Sequence, residues 1–111
     1  MANAFKVIGA AATGTSEASV YTCPSSTTAT IIGLTCANLT STSPIRVSIR
    51  LYDSSASAHY YMVKEAEIFE GGSLVAVGGD QKVVLEAGDI LKVTSDTASS
   101  VDTLISYMET T

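Results

Sequence analysis

Short apolar runs separated by turn residues recur along the chain, and they are densest between residues 71 and 94. Residues 74–77, 83–85 and 90–93 are rich in Val, Leu and Ile, and the segments between them contain Gly-Gly-Asp and Ala-Gly-Asp. Such short runs are typical of strands joined by turns and are too brief for helices. The pattern predicts an antiparallel meander of three strands.

The turns of this meander have suitable residues. Gly78, Gly79 and Gly88 can adopt a positive φ without a steric penalty from Cβ. Asp80 and Asp89 can accept hydrogen bonds from the turn backbone through their own carboxylates. We therefore expect this segment to be scaffold and not a site of chemistry.

Residues 45–52 show the cleanest alternation of the chain. The apolar set is Ile45, Val47, Ile49 and Leu51, and the set between them is Arg46, Ser48, Arg50 and Tyr52. A period of two predicts a half-buried strand with a cationic and aromatic outer stripe. Residues 59–63 predict the next strand, in which Tyr60 and Met62 face away from Tyr61 and Val63.

The residues with interface character come from these two strands. They are Arg46, Arg50, Tyr52, Tyr60 and Tyr61. Because arginine and tyrosine are enriched where protein surfaces meet, we interpret this set as a candidate protein interface. The alternative is that the five side chains cover a solvated sheet face.

Three further segments read as strands: residues 20–23, 30–39 and 101–108. In the second, Ile32, Leu34 and Cys36 are expected on one face and Ile31, Ala37 and Leu39 on the other, with both faces buried. Gly33 indicates a bulge or a close backbone approach within this strand. Residues 65–70 are ambiguous and fit either a helical turn or an irregular edge.

About eight strands without a long helix indicate an all-β protein. We expect a two-layer antiparallel β-sandwich or a jelly-roll-like barrel. The 111 residues suit one domain of ordinary size. We assign residues 1–15 to an N-terminal arm or first strand and residues 16–111 to the β-sandwich domain.

Charge excludes some classes of partner. Charged residues make up 15% of the chain, whereas about a quarter is usual, and a permanently assembled subunit tolerates such a surface. The net charge is −5 and the six basic residues are scattered along the sequence. Nucleic acid and anionic membranes are therefore not expected as partners. No apolar run has the length of a signal peptide or a membrane span, which predicts a soluble protein made in the cytoplasm.

Candidate catalytic residues are few. His59 is the single histidine, and its surroundings lack a nucleophile elbow, so we interpret it as a surface or strand-end imidazole beside tyrosines. Glu65, Glu67 and Glu70 resemble the carboxylates of a glycosidase only in residue type. We predict no catalytic residue, no cofactor and no enzyme activity.

Metal, thiol and sugar sites are also weak in the sequence. Asp80, Glu86 and Asp89 are hard oxygen ligands at turns, but their spacing differs from that of a calcium loop, so we expect turn capping and no metal. Cys23 and Cys36 lack partner histidines. We expect them to be buried free thiols, with a disulfide between adjacent strands as the alternative. Residues 38–40 match a glycosylation sequon to which we give little weight.

The order of motifs resembles a known group of proteins. It begins with Tyr-Thr-Cys-Pro, Thr-Ala-Thr-Ile-Ile-Gly-Leu-Thr-Cys-Ala-Asn and a strand ending in Leu-Tyr-Asp. It continues with Tyr-Tyr-Met-Val-Lys, Gly-Gly-Ser-Leu-Val and Gly-Gly-Asp-Gln-Lys-Val-Val-Leu-Glu-Ala-Gly-Asp-Ile-Leu-Lys-Val. Across residues 20–109 this is similar to small β-sandwich virion structural proteins, decoration or accessory proteins, of tailed bacteriophages. Residues 79–93 are the most specific part.

The resemblance implies a virion protein made in the host bacterial cytoplasm. It suggests a capsid decoration, or cement, protein that binds the shell in many copies, with the major capsid protein or other virion subunits as partners. A homo-oligomer is expected, with residues 2–12 reaching onto an adjacent subunit. The alternatives are a neck, tail or fibre-associated protein, including an adhesion module for host-surface glycans, and a free cellular binding module or small enzyme.

Overall fold

The computed structural model describes residues 2–78 and 81–111, and these residues form nine β-strands. In chain order they are β1 (Asn3–Thr13), β2 (Ala18–Thr22), β3 (Thr28–Asn38), β4 (Ile45–Asp53), β5 (Ala58–Ile68), β6 (Ser73–Val77), β7 (Val83–Leu85), β8 (Ile90–Ser95) and β9 (Val101–Thr110). The described residues contain no helix that is long and apolar enough to cross a membrane.

The strands form two antiparallel sheets. Sheet A has the order β1-β9-β3-β6, with β7 also paired to β3, and sheet B has the order β2-β8-β4-β5. Most connections pass from one sheet to the other, which is the connectivity of a jelly roll. The sheets stay open at their edges and do not close into a barrel, so the sandwich form of the expected all-β fold is confirmed.

The predicted meander of β6, β7 and β8 is wrong. Strands β6 and β7 both pair with β3, β6 with its second half and β7 with residues 29–31, so together they fill one position in sheet A. Strand β8 lies in sheet B between β2 and β4. Short strands with similar apolar content carry no local signal for their partners, and here the partners come from distant parts of the chain.

The core lies between the sheets and is built from the inward positions of both. Its fully buried side chains include Ile31, Leu34, Ile45, Ile49, Leu85, Leu91 and Ile105. The alternation of β4 is confirmed, because Ile45, Val47 and Ile49 are buried while Arg46 is exposed. The alternation of β9 is also confirmed, with its odd-numbered positions from 101 to 109 buried.

The bulge expected at Gly33 is present and changes the faces of β3. The register against β9 shifts between Ile31 and Gly33. As a result, Ile31, Leu34 and Cys36 all point into the core, and Ile32 is only half-buried. The assignment of Ile32 to the face of Leu34 was therefore wrong, because one inserted residue moves every preceding side chain to the opposite face.

Residues 65–68 continue β5. Of the two alternatives for residues 65–70, the helical turn is therefore wrong for this part, and the irregular edge is correct. Two irregularities interrupt the pairing of β5 with β4. At one of them Glu65 has a φ of 51° and donates its N–H to the hydroxyl of Ser48 at 2.9 Å. At the other, Met62 and Val63 both pack against the core, instead of facing opposite sides as predicted.

The first strand, β1, lies at the edge of sheet A. Its register with β9 is regular from Asn3, opposite Thr110, to Ala10, opposite Thr103. In this structure the segment is a strand of its own sheet, and the division of the chain at residue 15 stays a prediction.

Asp89 organises the turn that carries the chain from sheet A to sheet B. Its carboxylate accepts hydrogen bonds from the backbone N–H groups of Ser54, at 3.0 Å, and Glu86, at 2.9 Å. Gly88 beside it has a φ of 88°. These two predicted turn features are confirmed. Gly78 is not among the residues with a positive φ, and the features predicted for Gly79 and Asp80 lie outside the described residues.

Candidate functional site

Four of the five predicted interface residues share the outer face of sheet B. Arg46, Arg50 and Tyr52 point outward from β4, and Tyr61 lies directly opposite Arg50 on β5. Tyr60 is 55% exposed, but it lies opposite Leu51 and therefore belongs to the other face of the strand. The structure brings together the first four residues and separates Tyr60 from them.

Arg50 lies on this face and makes both an ion pair and an aromatic contact there. Its guanidinium donates two hydrogen bonds to Glu17, at 2.6 and 2.9 Å. It also lies 5.8 Å from the centroid of the Tyr61 ring, and the Lys64 ammonium lies 4.9 Å from the same ring. The hydrogen bonds from Arg50 hold the pKa of Glu17 below its usual value.

A second group on this face surrounds His59. The imidazole lies 4.9 Å from the Tyr52 ring, and its Nε2 is 3.4 Å from the Lys92 ammonium. The ammonium also lies over the Tyr52 ring. The pKa of His59 is lowered mainly by desolvation and further by the positive charges of Arg50 and Lys92. His59 is thus an exposed strand residue beside a tyrosine, as expected.

The basic residues scattered along the sequence are not scattered in space. Arg46, Arg50, Lys64 and Lys92, four of the six lysines and arginines of the chain, lie on or beside the outer face of sheet B. Acidic groups balance them there, since Glu17 pairs with Arg50 and Glu67 lies opposite Arg46. The face is therefore mixed in charge. That the protein does not bind nucleic acid stays a prediction.

A shallow groove crosses this face beside Arg46. It has a volume of about 280 Å³ and is lined by Arg46, Ser48, Tyr61, Lys64, Glu65, Thr94, Ser95 and Asp96. The Asp96 carboxylate accepts a hydrogen bond from the Arg46 backbone at 3.0 Å, and this bond lowers its pKa. The groove combines ionic and aromatic groups, as polar protein surfaces do.

The outer face of sheet A has the opposite character, and sequence reasoning missed it. Its exposed apolar side chains are Phe5 (77% exposed), Val7 (63%), Val75 (63%), Val84 (56%) and Leu104 (56%). Strand pairing places them in cross-strand rows. One row runs from Phe5 through Met108 and Thr30 to Val84, and another from Gly9 through Leu104 and Thr35 to Val75. The face therefore carries exposed apolar side chains with threonines and other small residues between them.

An acidic cluster lies at the end of the sandwich near β7. Carboxylate oxygens of Asp53, Glu86 and Asp89 lie within 4.8 Å of one another. Asp89 is buried and uses both oxygens as hydrogen-bond acceptors, and Asp53 accepts from the backbone and hydroxyl of Ser55. Asp53 and Asp89 therefore cap turns, as predicted for Asp89. Glu86 takes part through its backbone N–H, which donates to Asp89, and Asp80 lies outside the described residues.

Other candidate residues take structural positions. Glu65, Glu67 and Glu70 are exposed. Cys23 and Cys36 are buried free thiols, as expected, and burial raises the pKa of both.

The sequon at residues 38–40 does not present an accessible asparagine. Asn38 is buried and donates its amide to the carbonyl oxygens of Ser43, at 3.1 Å, and Ile68, at 2.9 Å. Its own side-chain oxygen accepts from the backbone and hydroxyl of Thr40. The structure thus uses Asn38 to close a loop.

Comparison with known proteins yields a likeness of fold. No family of known proteins matches the chain, and no curated protein does. A solved structure of a Bacillus endospore appendage, from a family of disulfide-linked pili, is similar with a TM-score of 0.52 and 15% sequence identity. The likeness covers 99% of this chain and 87% of that chain. At this identity the comparison shows the β-sandwich fold alone.

Proposed function

We propose that this protein is a non-catalytic structural subunit of a bacteriophage virion, a capsid decoration protein that binds the shell in many copies. The observation that carries the proposal is the apolar outer face of sheet A. Monomeric soluble proteins rarely expose a contiguous apolar patch larger than a few hundred Å². A face of this kind is typical of a surface that another subunit covers.

The charge pattern supports the same role. Among the described strand residues that point outward from sheet A, Asp102 is the charged one, and its carboxylate accepts a hydrogen bond from the backbone of Ala12. Interface cores are depleted in charged residues, and rims are polar. The apolar face therefore has the character of a buried contact, and the ionic outer face of sheet B has the character of a solvated surface or a rim.

Counting copies per particle tests this function. Particles purified by density gradient are analysed by quantitative mass spectrometry against the major capsid protein. Copies in proportion to the shell subunits support decoration. A few copies per particle would instead place the protein at the neck, tail or fibre, and absence from purified particles would overturn the virion role.

Matched variants connect the count to the apolar face. Leu104→Lys introduces a charge at an exposed position of sheet A, and we expect it to reduce occupancy of the particle. Thr22→Lys places the same charge on an exposed position of sheet B and serves as the control. If both variants bind the particle as the unchanged chain does, the apolar face is not the contact surface.

A filament subunit is the second candidate function. The likeness in fold to a Bacillus endospore pilus supports it. In this case the isolated protein, concentrated in solution, is expected to form filaments visible by negative-stain electron microscopy. Both cysteines of this chain are buried, so such a filament would hold together in reducing buffer unless those thiols become exposed.

A further inference from the structure

The outermost strand of sheet A, β1, is exposed to an unusual degree for a strand of eleven residues. All its residues from Asn3 to Gly9 are exposed, including Ile8, which points toward the sandwich. On one side β1 pairs with β9, and on its other side no strand pairs with it in the part of the chain that the structure describes. Both faces and one edge of β1 are therefore open.

The pairing at the end of β1 shows which backbone groups point to the open edge. Ala2 and Thr111 exchange both of their N–H···O=C bonds, at 3.3 and 2.9 Å. In an antiparallel ladder, hydrogen-bonded and non-hydrogen-bonded pairs alternate, and the register stays regular up to Ala10. Every second residue counted from Ala2 therefore bonds to β9, and the N–H and C=O groups of Asn3, Phe5, Val7 and Gly9 point outward.

This edge lacks the features that keep strand edges from pairing. Natural edges are protected by proline, unpaired lysine, bulges or covering loops. β1 contains no proline, and its single charged residue, Lys6, donates to Glu109 at 2.7 Å within the same chain. The bulge comes only after Ala10. About eight residues at the rise of a strand give an edge of roughly 27 Å that is ready to pair.

We propose that β1 pairs antiparallel with β1 of a second copy of this chain, about a two-fold axis at Val7. The inference rests on the proposed role as an assembling subunit and names the contact through which copies join. The two A sheets then become one continuous sheet, and the apolar outer faces lie side by side. Such a contact is isologous, since each copy offers the same strand.

The register follows from charge and side-chain size. Residues with outward backbone groups face each other for an axis at any residue of β1, so the length of the overlap decides. Within residues 3–10, an axis at Lys6 or Val7 pairs seven residues of each strand. An axis at Lys6 places that lysine opposite its own copy, which is unfavourable. An axis at Phe5 or Ile8 shortens the overlap to five residues.

An axis at Val7 has the best contacts of these. Within the regular stretch it pairs residues 4–10 of both strands and sets Lys6 opposite Ile8 of the second copy. It also sets Phe5 opposite Gly9 of the second copy, and an aromatic ring packs well over a cross-strand glycine. Leu104 lies beside Gly9 on β9, so the ring meets a further apolar side chain there.

A cysteine placed at the axis tests the register directly. In Val7→Cys, the two sulfur atoms of a dimer come from directly opposed residues about 5.5 Å apart at Cα, which a disulfide can span. We expect this variant to form a disulfide-linked dimer on a non-reducing gel. Phe5→Cys is the control for register and is expected to remain monomeric on the gel, because its opposed residue is Gly9. Val75 lies on the same outer face but far from β1. Val75→Cys is therefore expected to form a disulfide-linked dimer only if two copies stack through their outer faces.

A proline at the same position tests the edge without removing a bond to β9. The Val7 N–H points outward, so Val7→Pro is expected to shift the protein from dimer to monomer in sedimentation analysis while it keeps its far-ultraviolet circular dichroism. Val7→Thr retains the N–H and the branched Cβ and is expected to remain dimeric. A monomeric parent chain, a dimeric Val7→Pro, or preferential cross-linking of Phe5→Cys or Val75→Cys would each overturn the proposal.

The outcomes separate this contact from the virion role. A chain that is monomeric in solution yet abundant on particles contradicts the β1 pairing and leaves the decoration role in place. A chain that dimerises through Val7 yet is absent from particles contradicts the decoration role and leaves the pairing in place.

Discussion

The phenol of Tyr21 donates a hydrogen bond of 2.7 Å to Glu109 Oε2 and thereby joins the two sheets. Tyr21 belongs to β2 in sheet B and Glu109 to β9 in sheet A. The other carboxylate oxygen accepts from the Lys6 ammonium at 2.7 Å, which attaches β1 to the same point. Burial, and then the bond to Glu109, raises the pKa of Tyr21. The phenol is therefore a protonated donor at neutral pH.

Tyr21→Phe is expected to destabilise the fold. The substitution keeps the ring, which packs 4.6 Å from the Tyr107 ring, and removes only the donor to a buried carboxylate. Leaving such an acceptor without its partner costs about 1–3 kcal/mol. Urea unfolding followed by circular dichroism measures the loss. Tyr60→Phe, at a 55% exposed position, is the control and is expected to unfold with the parent chain.

Glu109 is expected to make the fold sensitive to acid. The hydrogen bonds from Lys6 and Tyr21 hold its pKa below the usual value, so the unfolded chain binds this proton at a higher pH than the folded one. The stabilisation is complete above the ordinary carboxyl pKa and is lost as the pH falls through the lowered pKa. Glu109→Gln lacks this contribution.

The comparison of the two proteins across pH isolates the effect. We expect the difference in the free energy of unfolding between the parent chain and Glu109→Gln to be largest near neutral pH and to shrink below about pH 4. Other carboxylates with lowered pKa values, Glu17 and Asp96, are present in both proteins and cancel. A difference that stays constant down to the acid limit would contradict the assignment to Glu109.

The sequence predicts the parts of the fold that depend on local alternation. In β4 and β9 each side chain faces the core or solvent according to a period of two, and a single stretch of sequence contains that signal. Strand partners are different, because the pairing of β7 with residues 29–31 depends on segments more than fifty residues apart. Gly33 shows the boundary between the two cases. Its identity indicates a bulge, but the resulting inward turn of Ile31 is visible only in the structure.

The candidate sites show the same difference between signals within one stretch of sequence and contacts between distant segments. Arg50 and Tyr61 could be grouped from the sequence because neighbouring strands carry them, and they meet in the structure. The apolar face could not, because Phe5, Val75 and Leu104 come from three distant strands. One signal was available in the first strand. Phe5 and Val7 alternate with Lys6 and Ile8, so apolar side chains lie on both faces of this segment.

Gly88 is expected to resist substitution more strongly than Gly71. Both have a positive φ, of 88° and 75°, so alanine meets the same backbone penalty of about 1 kcal/mol at each. At Gly88 a Cβ would also lie 2.8 Å from the Ser54 hydroxyl and 3.2 Å from its Cβ, whereas at Gly71 nothing lies within 4 Å. Thermal denaturation of Gly88→Ala and Gly71→Ala measures the steric part as the difference.

A second substitution checks the steric cause. Ser54→Gly removes the obstructing atoms, so Gly88→Ala is expected to cost less in that background than in the parent chain. Equal costs in both backgrounds would show that backbone strain alone opposes the substitution.

Asn38→Ala is expected to loosen the loop between β3 and β4. The substitution removes the donor to Ser43 and Ile68 and the acceptor for Thr40 in one step. Because these groups are largely buried, we expect a loss of about 2–3 kcal/mol in chemical denaturation. Asn38→Asp keeps the acceptor and loses the donor, and its loss should exceed that of the exposed control Leu39→Ala.

The two thiols are expected to be inert in the folded protein. Cys23 Sγ lies 3.4 Å from the carbonyl of Thr27, and Cys36 Sγ lies 3.7 Å from the hydroxyl of Thr103, both inside the sandwich. Since burial raises the pKa of each thiol, little of the reactive thiolate forms at neutral pH. We expect a chromogenic disulfide reagent to detect no thiol in the folded chain and both thiols in denaturant. Ala56→Cys places a thiol on an exposed turn and is the reactive control. Reaction of the folded parent chain at the rate of that control would show that the sandwich opens readily, and would make disulfide links between subunits chemically accessible.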